Sequence, residues 1–169
     1  MQSEAWLRGP VDGVIAELVP AAHILIQAGE ELSQAVADLS PEELWATPGG
    51  AASVGFHLRH IAGSLDRLLA YARGSALNES QRAALAAEKQ PDLGLSRASL
   101  LEMVQQAIEQ AVQVLRATPS DSLFLERRVG RAQLPSDVIG LIYHAAAHAW
   151  RHTGQVIATS RCARASGPR

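Results

Sequence analysis

The sequence predicts an all-α fold, a bundle of four long helices, and three observations predict it. Apolar residues recur at alternating steps of three and four in four separate stretches, the spacing that gathers them on one helix face. Hydrophobic residues make up 47% of the 169 residues while aromatics make up 4%, a core of small and branched aliphatics that suits packed helices better than a sheet. Prolines fall between these stretches or at their first turns, where a helix tolerates them.

Taken in order, residues 1–17 form an arm. Gly9-Pro10 and Gly13 interrupt any helix there, and Trp6, Leu7, Val11, Val14 and Ile15 can lie over the bundle. The first long helix begins near Pro20, with Leu18, Ala22, Leu25, Gly29, Leu32, Val36 and Leu39 as its seam. His23, one step off that seam, reads as an ordinary half-buried histidine. Ser40-Pro41-Glu42-Glu43 supplies a cap, a first-turn proline and first-turn acids for a short helix that ends before Pro48-Gly49-Gly50, with Trp45 plugging the bundle end. Ser53 caps the second long helix, which runs to about Arg73 on a stripe of Val54, Leu58, Ile61, Leu65, Leu68 and Ala72 and stops at Gly74.

Asn78 to Lys89 is a short exposed helix, and Gln90 to Gly94 a turn. Ser96 or Ser99 caps the third long helix, whose seam is Leu101, Val104, Ile108, Ala111 and Leu115 and whose end is Thr118-Pro119. Leu123 to Leu134 reads as an irregular loop carrying Arg127, Arg128 and Arg131, with an anion-holding lip as the alternative. Pro135-Ser136-Asp137 opens the fourth long helix. One domain over 1–169 follows, with its core at roughly 18–160 and a frayed tail at 161–169.

The fourth helix holds the chemistry. His144, His148 and His152, three of the chain's six histidines, stand four residues apart. Each lies about 40° round and about 6 Å along from the last, so all three project from one face. A buried imidazole without a partner costs on the order of 1–3 kcal/mol, and a divalent metal is one such partner. His144 and His152 are about 12 Å apart along the axis, too far to share an ion at about 2.1 Å each, which leaves 144/148 or 148/152 as the chelating pair. Helical phase favours 148/152. On the second helix, His57 lies nearer the stripe centre than His60 and is the more buried by periodicity. Periodicity does not decide which of the two faces the fourth helix.

The rest of the composition sets limits. A formal charge of −2 without a basic patch argues against nucleic acid as a partner. No uninterrupted apolar run approaches roughly 18 residues, so no membrane span is expected. The early Glu4, Arg8 and Gly9-Pro10 do not read as a signal peptide. Cys162, the single cysteine, excludes an intrachain disulfide and fits a cytoplasmic protein.

Two stretches carry a family resemblance. Ser53-Val-Gly-Phe-His-Leu-Arg-His-Ile-Ala62 resembles the second-helix motif of the DinB/YfiT-like superfamily, and His148-Ala-Trp-Arg-His-Thr-Gly-Gln-Val156 its fourth-helix motif. The resemblance implies an up-down-down-up four-helix bundle with short extra helices. It also implies three metal ligands, which fall on His60, His148 and His152, and a divalent transition metal, zinc or nickel. His57 and His144 then become residues flanking the ligands, candidates for relaying a proton in catalysis. Thr153 departs from the family pattern, which often has Arg there. The activities implied are metal-dependent transfer of a low-molecular-weight thiol to a small electrophile and related thiol-dependent isomerisation. For a transferase, the proposed fold would bring Arg127, Arg128 or Arg131 near enough to hold the thiol's carboxylates. The alternatives are a non-catalytic, stress-associated metal-binding bundle and a metal-dependent hydrolase. Broad apolar faces on the second and fourth helices favour a homodimer.

Overall fold

The computed structural model describes residues 3–166, with Ser166 described by its backbone alone. It is predominantly helical, with six α-helices and one β-hairpin among the described residues. The long helices are α1 (Val19–Val36), α3 (Val54–Ala72), α5 (Arg97–Ala117) and α6 (Val138–Ser166), and the short ones are α2 (Pro41–Trp45) and α4 (Glu79–Ala87). No helix among the described residues is long and apolar enough to cross a membrane.

Local signals set the starts. Ser40 accepts from the Glu43 amide at 3.2 Å while the Glu43 carboxylate accepts from the Ser40 amide at 2.9 Å, a reciprocal box. Ser53 accepts from the Phe56 amide at 3.1 Å. Of the two serines offered for α5, Ser96 is the cap and accepts from the Ser99 amide at 3.1 Å. α3 ends at Gly74, whose φ of 76° reverses the chain where a side chain would be strained.

The four long helices pack side by side: α6 lies along α1 and α3, and α5 lies along the same two from the other side. Hydrogen bonds fix the directions. The Tyr143 hydroxyl donates to the Glu17 carbonyl at 2.7 Å and Arg164 donates to the Ala35 carbonyl at 2.9 Å, so α1 and α6 start together and end together. Arg116, at the end of α5, donates to the Asp12 carbonyl at 2.9 Å, just ahead of α1. Arg127, just ahead of α6, donates to the Ala72 carbonyl at 2.7 Å, at the end of α3. The seams meet in one core, whose fully buried members include Leu25, Leu32, Leu58, Ile61, Leu65, Leu115 and Ile142. Val11, Val14 and Ile15 pack on it from the N-terminal segment, while Trp6 and Leu7 stay exposed.

Four local expectations give way. The loop at Leu123–Leu134 and the proline expected to open α6 belong instead to an antiparallel hairpin, β1 (Glu126–Val129) with β2 (Leu134–Asp137). Asp137 then caps α6, accepting from the Gly140 amide at 2.7 Å. The seam of α5 runs through Leu100, fully buried, with Leu101 at its edge. The tail does not fray at Arg161: no Gly or Pro occurs before Gly167, Ala163 is buried, and α6 continues to Ser166. Residues 167–169 of the expected tail lie outside the described residues.

Candidate metal centre

The site forms in the groove between α3 and α6. These helices run in opposite directions, which brings the first two turns of α3 level with the middle of α6. His60 arrives from α3, and His148 and His152 from α6. Their ring centroids form a nearly equilateral triangle, 5.0 Å for 60–148, 4.6 Å for 60–152 and 4.6 Å for 148–152. One ring nitrogen from each lies within 4.8 Å of the other two. An ion with bonds of about 2.1 Å in tetrahedral geometry sets its nitrogens about 3.4 Å apart, a closure that side-chain torsions supply.

The rings are prepared to be ligands. Burial, then the neighbouring His152, His60 and His144 and the Arg151 guanidinium, push the His148 pKa down to about 4. His152 is lowered in the same direction, first by burial and then by His60 and Arg151. Both are therefore neutral at pH 7, with a lone pair to give. His148 Nδ1 is buried without a hydrogen-bond partner and is the one such side-chain atom identified among the described residues. Leaving it so costs about 1–3 kcal/mol, and a cation removes that cost. The chemistry of this donor set, three imidazoles around one point, fits a divalent transition metal.

The DinB superfamily model matches residues 24–156, a span that takes in both histidine-bearing helices. The chain belongs to the DinB superfamily. A solved structure described as the conserved protein of locus from Enterococcus faecalis is similar to it, with a TM-score of 0.70 and 18% identity over 88% of this chain and 98% of that one. At that identity the likeness speaks for the fold alone. No curated protein matches the chain.

Around the three histidines of this DinB-superfamily chain stand residues of unequal standing. His57, 5% exposed, lies behind the triangle, with its Nδ1 3.1 Å from His152 Nδ1. Burial and the neighbouring His152 and His60 push its pKa down to about 4. His144 is exposed, one turn along α6, its ring 5.8 Å from that of His148. Phe56 stacks on His60 at 5.4 Å. His23 lies apart and holds the Gly9 carbonyl at 2.8 Å.

The arginines expected at a lip are elsewhere. Arg127 is tied to the end of α3, a dozen residues and roughly 18 Å along the axis from His60. With Arg82, Arg128 and Arg131 it lines a separate hollow of about 820 Å³ under the hairpin. The hairpin forms against the ends of α3 and α6 remote from the histidines.

Two site residues carried no reading in the sequence. Glu88, just past α4, accepts from His60 Nδ1 at 2.8 Å and pairs through its other oxygen with Arg67. Burial alone would push the Glu88 carboxyl up. Hydrogen bonds from His60 and Arg67, with their charges, outweigh that and hold it below the ordinary glutamate range. Because the carboxylate accepts, His60 Nδ1 carries the hydrogen, and Nε2 is the ring nitrogen left for a cation. The available signal was Arg67, which follows His60 by seven residues on the same side of α3. A buried arginine there calls for a carboxylate from outside the helix.

Proposed function

We infer that this protein binds a divalent transition metal, zinc or nickel, through His60, His148 and His152, and uses it to transfer a low-molecular-weight thiol to a small electrophile. The observation that carries this reading is the triangle itself. Three imidazoles meet at one point, and three protein ligands are the number that leaves a coordination position for a reactant. A divalent ion held there supplies Lewis acidity strong enough to deprotonate a coordinating thiol.

The chain's own residues do the rest. His57 shares a hydrogen bond with His152 between their Nδ1 atoms, and with the hydrogen on His152 the Nε2 of that ring is left for the ion. His144, exposed beside His148, is the ring placed to exchange a proton with water or a leaving group. Hydrolysis ranks second because it needs a free general base. Both oxygens of Glu88, the acid beside the site, are already engaged by His60 and Arg67.

The fold that accompanies this reading is an up-down-down-up bundle, supported by the shared starts of α1 and α6 and the opposed ends of α1 with α5 and of α3 with α6. A second copy of the chain as partner, a small-molecule substrate and a cytoplasmic location complete the reading. Trp6, Leu7 and Trp150 are among the exposed apolar side chains available to a homodimer.

The test is a conjugation assay on zinc- or nickel-loaded protein with a panel of small thiols and an activated aryl halide. One thiol should react faster with enzyme than without, and chelator or His148→Ala should abolish the acceleration. Flat rates across the panel with metal fully bound would leave the metal a bracing role only.

A further inference from the structure

α4 is docked in an unusual way. Its one buried residue is polar, Gln81, and Leu85, its largest apolar side chain, is 45% exposed. No apolar face holds this helix to the bundle. What holds it is a set of polar contacts at its C-terminal end, all made to α3. Arg59 donates to the Ala87 carbonyl at 3.2 Å and to the Gln90 carbonyl at 2.6 Å. Glu88, 6% exposed, reaches between His60 and Arg67. Gly63 makes the room: a Cβ there would overlap Glu88 Oε1 and stand 2.7 Å from Arg67 Nη1.

We propose that Glu88 is the positioning residue of the metal centre, and that docking of the 79–90 segment and metal binding are one coupled equilibrium. Glu88 acts through His60. By accepting from Nδ1 it selects the tautomer whose Nε2 can bind a cation and fixes the plane of the ring. Arg67 clamps the carboxylate in that orientation, and Gly63 lets it approach the α3 backbone. A cation on Nε2 strengthens the Nδ1 donor in turn, so metal tightens the hold on α4 as α4 tightens the hold on metal. The proposal rests on His60 being a ligand, as the preceding reading has it.

Zinc alone is the probe. Its affinity is measured by competition with a chromophoric chelator for wild type, Glu88→Gln, Gly63→Ala and the double variant. Hydrogen exchange of residues 79–90 is followed with and without zinc. Glu88→Gln should bind zinc about 10- to 100-fold more weakly, the scale on which such partners act on metal sites. Gly63→Ala should show a similar loss, although it improves helix propensity and touches no ligand. The double variant should be little worse than either alone, because both changes remove the same contact. Zinc should slow exchange of 79–90 at least tenfold in wild type and leave it unchanged in Glu88→Gln.

Zinc affinity of Glu88→Gln within twofold of wild type would overturn the proposal, as would wild-type exchange at 79–90 indifferent to zinc. Either result leaves the metal reading standing. Wild type that takes up no zinc removes both. If Glu88→Gln does not fold, Gly63→Ala decides by the same criteria.

Discussion

Stripped of metal, the protein should lose stability steeply as pH falls below neutrality, and two rings set the size of the effect. His57 and His148 are each held at a pKa of about 4 in the fold, by burial first and the neighbouring histidines second. In the unfolded chain both return to about 6.5. Between those values the unfolded chain takes up protons that the folded chain refuses, so unfolding becomes easier as pH falls. These folded pKa values are depressed. The contribution is therefore whole above pH 6.5, drains away below it, and is gone near pH 4. At about 1.4 kcal/mol per pH unit, the interval corresponds to a ceiling of about 3 kcal/mol for His57. His148, which water partly reaches, adds less. A total of about 4–5 kcal/mol rivals the 5–15 kcal/mol by which a typical domain is stable. Carboxylates titrate lower, so the part lost between about pH 6.5 and 5 belongs to the imidazoles. The assay is guanidinium unfolding followed by far-ultraviolet circular dichroism at pH 7.5, 6.5, 5.5 and 5.0 in chelator. The midpoint should fall throughout, and His57→Leu should flatten the slope. A midpoint constant from pH 7 to 5, or a His57→Leu slope equal to wild type, would show that burial of these rings does not control their protonation.

Other outcomes follow from single contacts. Zinc at a hundredfold excess over its dissociation constant should stabilise the wild type by about 2.7 kcal/mol in a thermal melt. His148→Ala should abolish that gain and His144→Ala should keep it, because His144 is exposed outside the triangle. Gly55→Ala puts a Cβ 2.7 Å from the Trp45 ring, an overpacking worth about 1–3 kcal/mol that should lower the melting temperature and shift tryptophan emission. Ser53→Ala removes the acceptor for the Phe56 amide and should cost about 1 kcal/mol, read as a melting temperature lowered by a few degrees.

What could be read in the chain was what is local. Ser40 and Ser53 cap helices because a hydroxyl finds an amide three residues on, with no help from the rest of the fold, and the cap of α5 was narrowed to Ser96 or Ser99. The seam of α1 was legible because a stripe repeated over five turns has one buried side. The hairpin was not legible. Its strands are four residues each, Pro135 stands inside one of them, and its arginines mimic a solvated loop. It forms because the ends of α3 and α6 lie close enough for Arg127 to bind the Ala72 carbonyl, a fact about tertiary structure. Glu88 was hidden for the same reason. It follows a helix with no apolar face, so no periodicity marks its inward side.

The choice between His57 and His60 shows why burial is a poor guide to which histidine could hold an ion. Periodicity ranks His57 as the deeper, and it is: 5% exposed, against 21% for the His60 side chain. A groove between two helices has a core side and a solvent side. An ion that keeps one position free for a reactant has to sit toward solvent, where that reactant can arrive. The histidine able to reach it stands at the edge of the apolar stripe, and the one at the stripe's centre is left to brace another ligand from behind. That is the arrangement here, with His60 beside His148 and His152, and His57 in contact with His152 Nδ1. The same reasoning places the supporting carboxylate. Here it arrives from outside the bundle, as Glu88 just past α4, and meets Arg67 of α3.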